Sequence, residues 1–229
     1  MGVYLYPSGT ETELKNAYIG EYIQVVYFPF ETDILDHSSN NVSMTAAGTS
    51  SFTTLSSWKS VLNASAWHLL SWTNFVSTYL SSHIYTVCYW VNPTKNYTYR
   101  RNHFTIGGYS WQGSMEIWAT TYNTQWSWAW LEKIYFDWTP WSSSLSWWRN
   151  IVITFNNGSW VAYINGTQYV TGTKATISDW ILGIWNGGAS NSNDRLTGQI
   201  SEFSIERGIW TAADVLSYYN TTKSDYWIS

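Results

Sequence analysis

The chain has 229 residues, 11% charged and 19% aromatic, with 18 Trp, 18 Tyr and a formal net charge of -4. That length suits one domain with a real core, and the aromatic content excludes a disordered chain. No basic run exceeds Arg100-Arg101, which excludes nucleic-acid binding by phosphate neutralisation.

Turn signals recur at the spacing of an all-β sandwich or barrel, and helical signals are scarce. Residues 1–22 form an N-terminal arm. Ile23–Phe30 (IQVVYFPF) reads as a strand that Pro29 pushes towards an edge or an end. Glu31–Asn41 is a polar loop. Ser51–Leu55 and Ala66–Trp72 read as strands. Ile84–Val91 (IYTVCYWV) is a strong apolar strand that stops at Asn92-Pro93. His103–Tyr109, Met115–Tyr122 and Trp126–Phe136 follow. Then come Arg149–Phe155, Ser159–Ile164 and Thr167–Val170, split by Asn156-Asn157-Gly158 and Asn165-Gly166. Asn-Gly supplies the positive φ of type I′ turns, so these three strands form an antiparallel meander. Asp179–Trp185 and the alternating Leu196–Glu206 are further strands. Thr211–Asn220 is the one good helix. Thr211 caps it, Asp214 takes the capping-box position, and Val215, Leu216 and Tyr219 make an apolar stripe. Residues 221–229 are a tail.

Cys88 is the single cysteine, so no disulfide forms within the chain. Set in an apolar strand, it reads as a buried thiol acting as a small hydrophobe. The opening residues lack the basic and apolar regions of a signal peptide. No run approaches the roughly 20 apolar residues of a membrane span.

The order of elements over Trp147–Asn220 carries a resemblance. WRNIVITF is followed by YING, an LGI strand, a Gly-rich loop, GQISEFSIE and the helix WTAADVLSYYN. This resembles the laminin-G-like domains of the concanavalin A-like lectin/glucanase superfamily. YFPFETDILDHSSNN and HIYTVCYWVNP extend the likeness to residues 23–220, with Asn40 where the family pattern has Gly. The resemblance implies a two-sheet antiparallel jelly-roll sandwich that binds glycans or protein surfaces. Glu13–Tyr22 (ELKNAYIGEY) resembles short segments that precede such domains in bacteriophage structural proteins.

Several residues invite a functional assignment. Trp126, Trp128 and Trp130 share strand parity and would place three indoles on one face, continued by Glu132. Such a face suits the apolar C–H faces of sugar rings, with Glu132 taking hydroxyls. The plainer reading of the same face is sandwich core, and a third is a subunit interface. Trp138 and Trp141 flank Pro140 in a loop-like segment and are further candidate ligand contacts; Trp147 and Trp148 share it. Calcium is a cofactor the resemblance allows, through Asp33, Asp36, Asn191, Asn193 and Asp194; the plainer role for these is turn formation. Glu202 and Glu206 lie where the superfamily's laminarinase-type glucanases carry Glu-x-Asp-x-Glu patterns. Ser204 replaces the central carboxylate, and a regular strand would separate the two Cα atoms by about 13 Å. Retaining chemistry needs the carboxyl groups about 5–5.5 Å apart, so no catalytic residue is assigned. His37, His68, His83 and His103 show no metal-ligand spacing. Six Asn-x-Ser/Thr sequons occur at about the frequency chance gives here.

The function expected is that of a non-enzymatic, lectin-like protein on a virion surface, a decoration or fibre protein attaching to glycans on a host. Other virion proteins would meet the N-terminal arm, and a homo-oligomer is expected. The alternatives are a purely structural capsid or tail component, and a secreted adhesion module. No nucleic acid partner and no membrane span are expected.

Overall fold

The computed structural model describes residues 23–71, 74–93, 101–107, 115–120, 132–137, 148–173, 181–184 and 198–226. Twelve strands are present among them. They are β1 (Ile23–Phe28), β2 (Thr45–Thr54), β3 (Ser60–Leu70), β4 (Ile84–Pro93), β5 (Arg101–Gly107), β6 (Met115–Thr120), β7 (Glu132–Asp137), β8 (Arg149–Asn156), β9 (Ser159–Ile164), β10 (Thr167–Thr173), β11 (Ile181–Ile184) and β12 (Gly198–Arg207). Two α-helices accompany them, α1 (Phe75–Tyr79) and α2 (Ala212–Thr222), and a 3₁₀ turn follows at Lys223–Tyr226.

The strands form one hydrogen-bonded path, β10-β9-β8-β4-β12-β3-β11-β5-β6-β7, with β1 added to β12 and β2 to β3. The path folds over itself into a sandwich. β12 runs along β4 on one side; on the other, Gly198–Ile200 pair with β3 and Phe203–Arg207 with β1. β3 then carries the path to β11, which pairs with its Leu69 and Leu70. Phe104 of β5 closes the sandwich, meeting Tyr89 of β4 and Phe203 of β12 edge-on, each at 5.7 Å between ring centroids. Switching a strand between layers is a standard corner of packed sheets.

The expected antiparallel jelly roll is therefore present with one departure: β6 and β7 pair parallel. Other strands run beyond their predicted ends. β2 starts at Thr45 and β3 at Ser60, and β10 continues to Thr173. α1 has no counterpart in the sequence reading; it seals one end of the core with Phe75 and Val76. No helix among the described residues is long and apolar enough to cross a membrane.

β4 is buried on both faces. Tyr85, Val87, Tyr89 and Val91 enter the main core with Phe28, Phe104, Ile153 and Phe203. Cys88 and Trp90 point the other way, under α2 and the 3₁₀ turn. There Val215, Trp210 and Tyr218 cover Cys88, Val152 and Tyr163. Tyr226 stacks on Trp90 at 4.1 Å and meets Trp148 at 4.8 Å. Trp148 is thus a core residue, and residues 221–226 are folded onto the sheet.

The capping box of α2 forms as expected: Asp214 N–H donates to Thr211 Oγ1, and Thr211 N–H donates to Asp214 Oδ2 at 2.8 Å. Of the predicted stripe, Val215 is buried and Tyr219 lies on Trp90, but Leu216 is exposed. The helix is turned so that Tyr218 faces the sheet instead, while Leu216 rests over the β9–β10 turn at Gly166. Three polar residues link neighbouring strands. Asn92 Nδ2 donates to Gln199 Oε1, and Gln199 Nε2 donates to Asn63 Oδ1, linking β4, β12 and β3.

Candidate functional site

Five of the six predicted ligand contacts, Trp126, Trp128, Trp130, Trp138 and Trp141, lie outside the described residues. Glu132 is the first residue of β7. β7 ends the strand path and pairs with β6 alone among the described strands. The chain enters β7 from Trp126–Trp130 and leaves it towards Trp138 and Trp141.

The two strand carboxyls are buried, each side chain 1% exposed. A β-bulge between Ser201 and Ser204 interrupts the pairing of β12 with β4, and Glu202 adopts φ +55 there. Two residues opposite one, Tyr89, let Phe203 enter the core while Glu202 stays on the outer face. Glu202 Oε1 lies 2.6 Å from Lys59 Nζ, and Tyr218 Oη donates to Glu202 Oε2 at 2.8 Å. Glu206 Oε2 accepts from Trp210 Nε1 at 2.9 Å, whereas its Oε1 has no partner. Burial pushes the Glu206 carboxyl up to about 8, against the opposing pull of the Trp210 indole. Glu202 is held beneath α2 through Tyr218, and Glu206 beside Trp210.

Lys59 ties this buried site to an exposed one. Its ammonium is shared with Glu31 Oε1, also at 2.6 Å. It closes the β2–β3 turn, where Leu55 N–H donates to Lys59 O and Trp58 N–H to Leu55 O. Ser57 Oγ donates to the carbonyl of Asp225 in the 3₁₀ turn. Leu55 is buried against Trp90, Trp148 and Tyr226. At the tip stands Trp58, 88% exposed, with φ +71. Sequence reading did not single out Trp58; the one available signal was an indole in an otherwise Ser-rich turn.

Asp36, Asp33, Asn40 and Cys88 have structural roles. Asp36 Oδ1 accepts from the N–H groups of Tyr27 and Ser38, and Oδ2 from Val42 N–H and Ser38 Oγ. That fills its four acceptor positions. Asp33 accepts from Leu35 N–H and pairs with His37 at 2.9 Å. Asn191, Asn193 and Asp194 lie outside the described residues. No group of three or more His, Cys, Asp or Glu suited to a metal occurs among the described residues. Asn40 Nδ2 donates to Val25 O at 2.8 Å, a tie that the family's glycine could not make. Cys88 is buried as expected, and burial raises its thiol pKa, which keeps it protonated.

Comparison with known proteins agrees with this architecture. The laminin-G-type model of the concanavalin A-like lectin/glucanases superfamily matches residues 69–216. The chain belongs to this superfamily. Among solved structures of the fold, domain 4 of AbnA, a GH43 extracellular arabinanase from Geobacillus stearothermophilus in complex with arabinotriose, superposes with a TM-score of 0.63 at 18% identity. That match covers 86% of this chain and 98% of that domain. The botulinum neurotoxin serotype D binding domain matches with a TM-score of 0.60 at 14% identity, over 87% of this chain. The binding domain of botulinum neurotoxin DC in complex with rat synaptotagmin II gives 0.57 at 13% identity, again over 87%. This chain spans about half the length of these toxin chains, 51% and 52%. No curated protein matches the sequence significantly.

Proposed function

We propose that this concanavalin A-like domain is a non-enzymatic, lectin-like module that binds glycans. The observation that carries this reading is the burial of Glu202 and Glu206. In a superfamily of lectins and glucanases, the carboxyls that would mark a glucanase are here spent on holding Lys59 and Trp210 in place. Their burial supports binding without bond cleavage. The nearly complete overlay on an arabinanase domain solved with arabinotriose supports a sugar ligand. The Trp-rich segments on either side of β7 supply stacking residues, with Trp126, Trp128, Trp130, Trp138, Trp141 and Glu132 as contacts. Display in many copies on a virion surface would let weak single-site binding suffice.

The test is a tryptophan-fluorescence titration of the whole chain against a panel of oligosaccharides, arabinotriose included. A saturable spectral change with one sugar class, lost in Trp138→Ala or Trp141→Ala, is the expected result. No response to any sugar would remove the lectin assignment and leave a structural role for the tryptophans.

A further inference from the structure

We propose that Trp58 is the stacking platform of a separate site for neutral oligosaccharides, formed by the β2–β3 turn and the exposed strand β2. This deepens the sugar-binding reading above and rests on it.

An exposed apolar side chain is ordinary by itself. Trp58 is unusual for two further reasons. Its φ of +71 is a conformation that a bulky L-residue rarely adopts and that glycine would adopt freely. Its turn is also fixed from three directions: Leu55 is packed in the core, Ser57 bonds the 3₁₀ turn, and Lys59 is clamped between Glu31 and Glu202. The fold thus holds a strained backbone rigidly and directs a large indole into solvent. Backbone strain that the surroundings enforce is a mark of functional positions. A fixed platform also loses little freedom when a ligand settles on it.

The surroundings select the ligand class. All ten residues of β2 are exposed. From Thr45 to Ser57 there is no charged residue, and Thr45, Thr49, Ser50, Ser51, Thr53 and Thr54 offer hydroxyls. The nearby Lys59 ammonium is buried and neutralised by two carboxylates, so it presents no positive charge to an acidic group. An indole face beside uncharged hydroxyls matches a neutral sugar, whose C–H face stacks while its hydroxyls exchange hydrogen bonds. Neither β2 nor its turn offers a free counter-charge to a sulfated, phosphorylated or uronic glycan.

Isothermal titration of the full chain with neutral oligosaccharides, arabinotriose among them, and with uronic-acid oligosaccharides tests this. Trp58→Gly, Trp58→Tyr and the parent are compared, with light scattering for mass. The expected result is loss of one class of neutral-sugar site in Trp58→Gly, or affinity weakened at least about tenfold, with partial retention in Trp58→Tyr. Trp58→Gly should melt no lower than the parent, which separates lost binding from lost folding. If the parent binds neutral sugars and Trp58→Gly binds them equally, this site is refuted while the lectin reading stands. If Trp58→Gly turns an oligomer into a monomer and leaves sugar binding intact, Trp58 is an interface residue and the proposal fails. If the parent binds no sugar, both readings fall together.

Discussion

Glu206 shows how far a side chain's surroundings decide its chemistry. In the folded protein it keeps its proton up to about pH 8, because burial penalises the charge and the Trp210 indole only partly offsets that. The unfolded chain releases the same proton near 4.5. The stability this group contributes is therefore complete below pH 4.5 and falls as pH rises towards 8, by up to about 1.4 kcal/mol per unit. Gln has the shape of the protonated acid and keeps an acceptor for Trp210. Glu206→Gln should match the parent at pH 4.5 and exceed it at pH 8 by on the order of 3 kcal/mol. Urea unfolding at the two pH values checks this; an equal offset at both would refute the assignment. Lys59 and Glu202 behave oppositely, because each buried charge is paired. Lys59→Met leaves two carboxylates uncompensated and should cost about 3–5 kcal/mol in the same assay. Trp58→Gly should gain about 0.5–1 kcal/mol by relieving the left-handed backbone, net of glycine's unfolded-state entropy. A melting point below the parent's would show that the indole supports the fold.

At the scale of the element, the β8–β9–β10 meander is where local sequence and structure agree best. Asn157-Gly158 and Asn165-Gly166 both take positive φ at their two positions, as type I′ turns require. Asn165 Oδ1 also accepts from Asn150 N–H at 2.9 Å, tying the second turn to β8. The exact pairing carries a constraint that the pattern alone does not reveal. Gly172 lies opposite Trp160, and a Cβ there would fall 2.2 Å from the indole. Gly172→Ala should therefore cost about 1–3 kcal/mol through overpacking, read as a lowered denaturation midpoint. Elements that lack periodicity were less legible. β2 is exposed on both faces, so no alternation marks its first half. The start of β3 hides behind Asn63, whose amide is satisfied only by partners on β2 and β12. α1 has five residues and no side-chain cap, too little for a helical period.

Across the whole molecule, the outer face of the sheet is finished by the C-terminal segment. Trp90 is covered by Tyr219 and Tyr226, and the same segment braces the Trp58 turn through Asp225. Tyr226→Ala should cost about 3 kcal/mol by opening that cover, and should raise solvent access to Trp90 in acrylamide quenching. The superfamily was legible in residues that build this frame: the meander, the alternating β12 and the capped helix. The candidate site was legible only in part. The pair Glu202 and Glu206 stands out in the sequence, but its burial depends on the β12 bulge and the rotation of α2, which no local pattern encodes. Trp58 was hidden because its significance lies in a φ angle and in anchors from Glu31, Glu202 and Asp225, far apart in the chain. The central claim is that this concanavalin A-like domain holds glycans without cutting them. Its most direct test is equilibrium dialysis of the purified chain with neutral oligosaccharides, followed by chromatography of the recovered sugar. Saturable retention with every oligosaccharide returned at its original length is predicted; release of shorter products, or no retention of any sugar, would contradict the account.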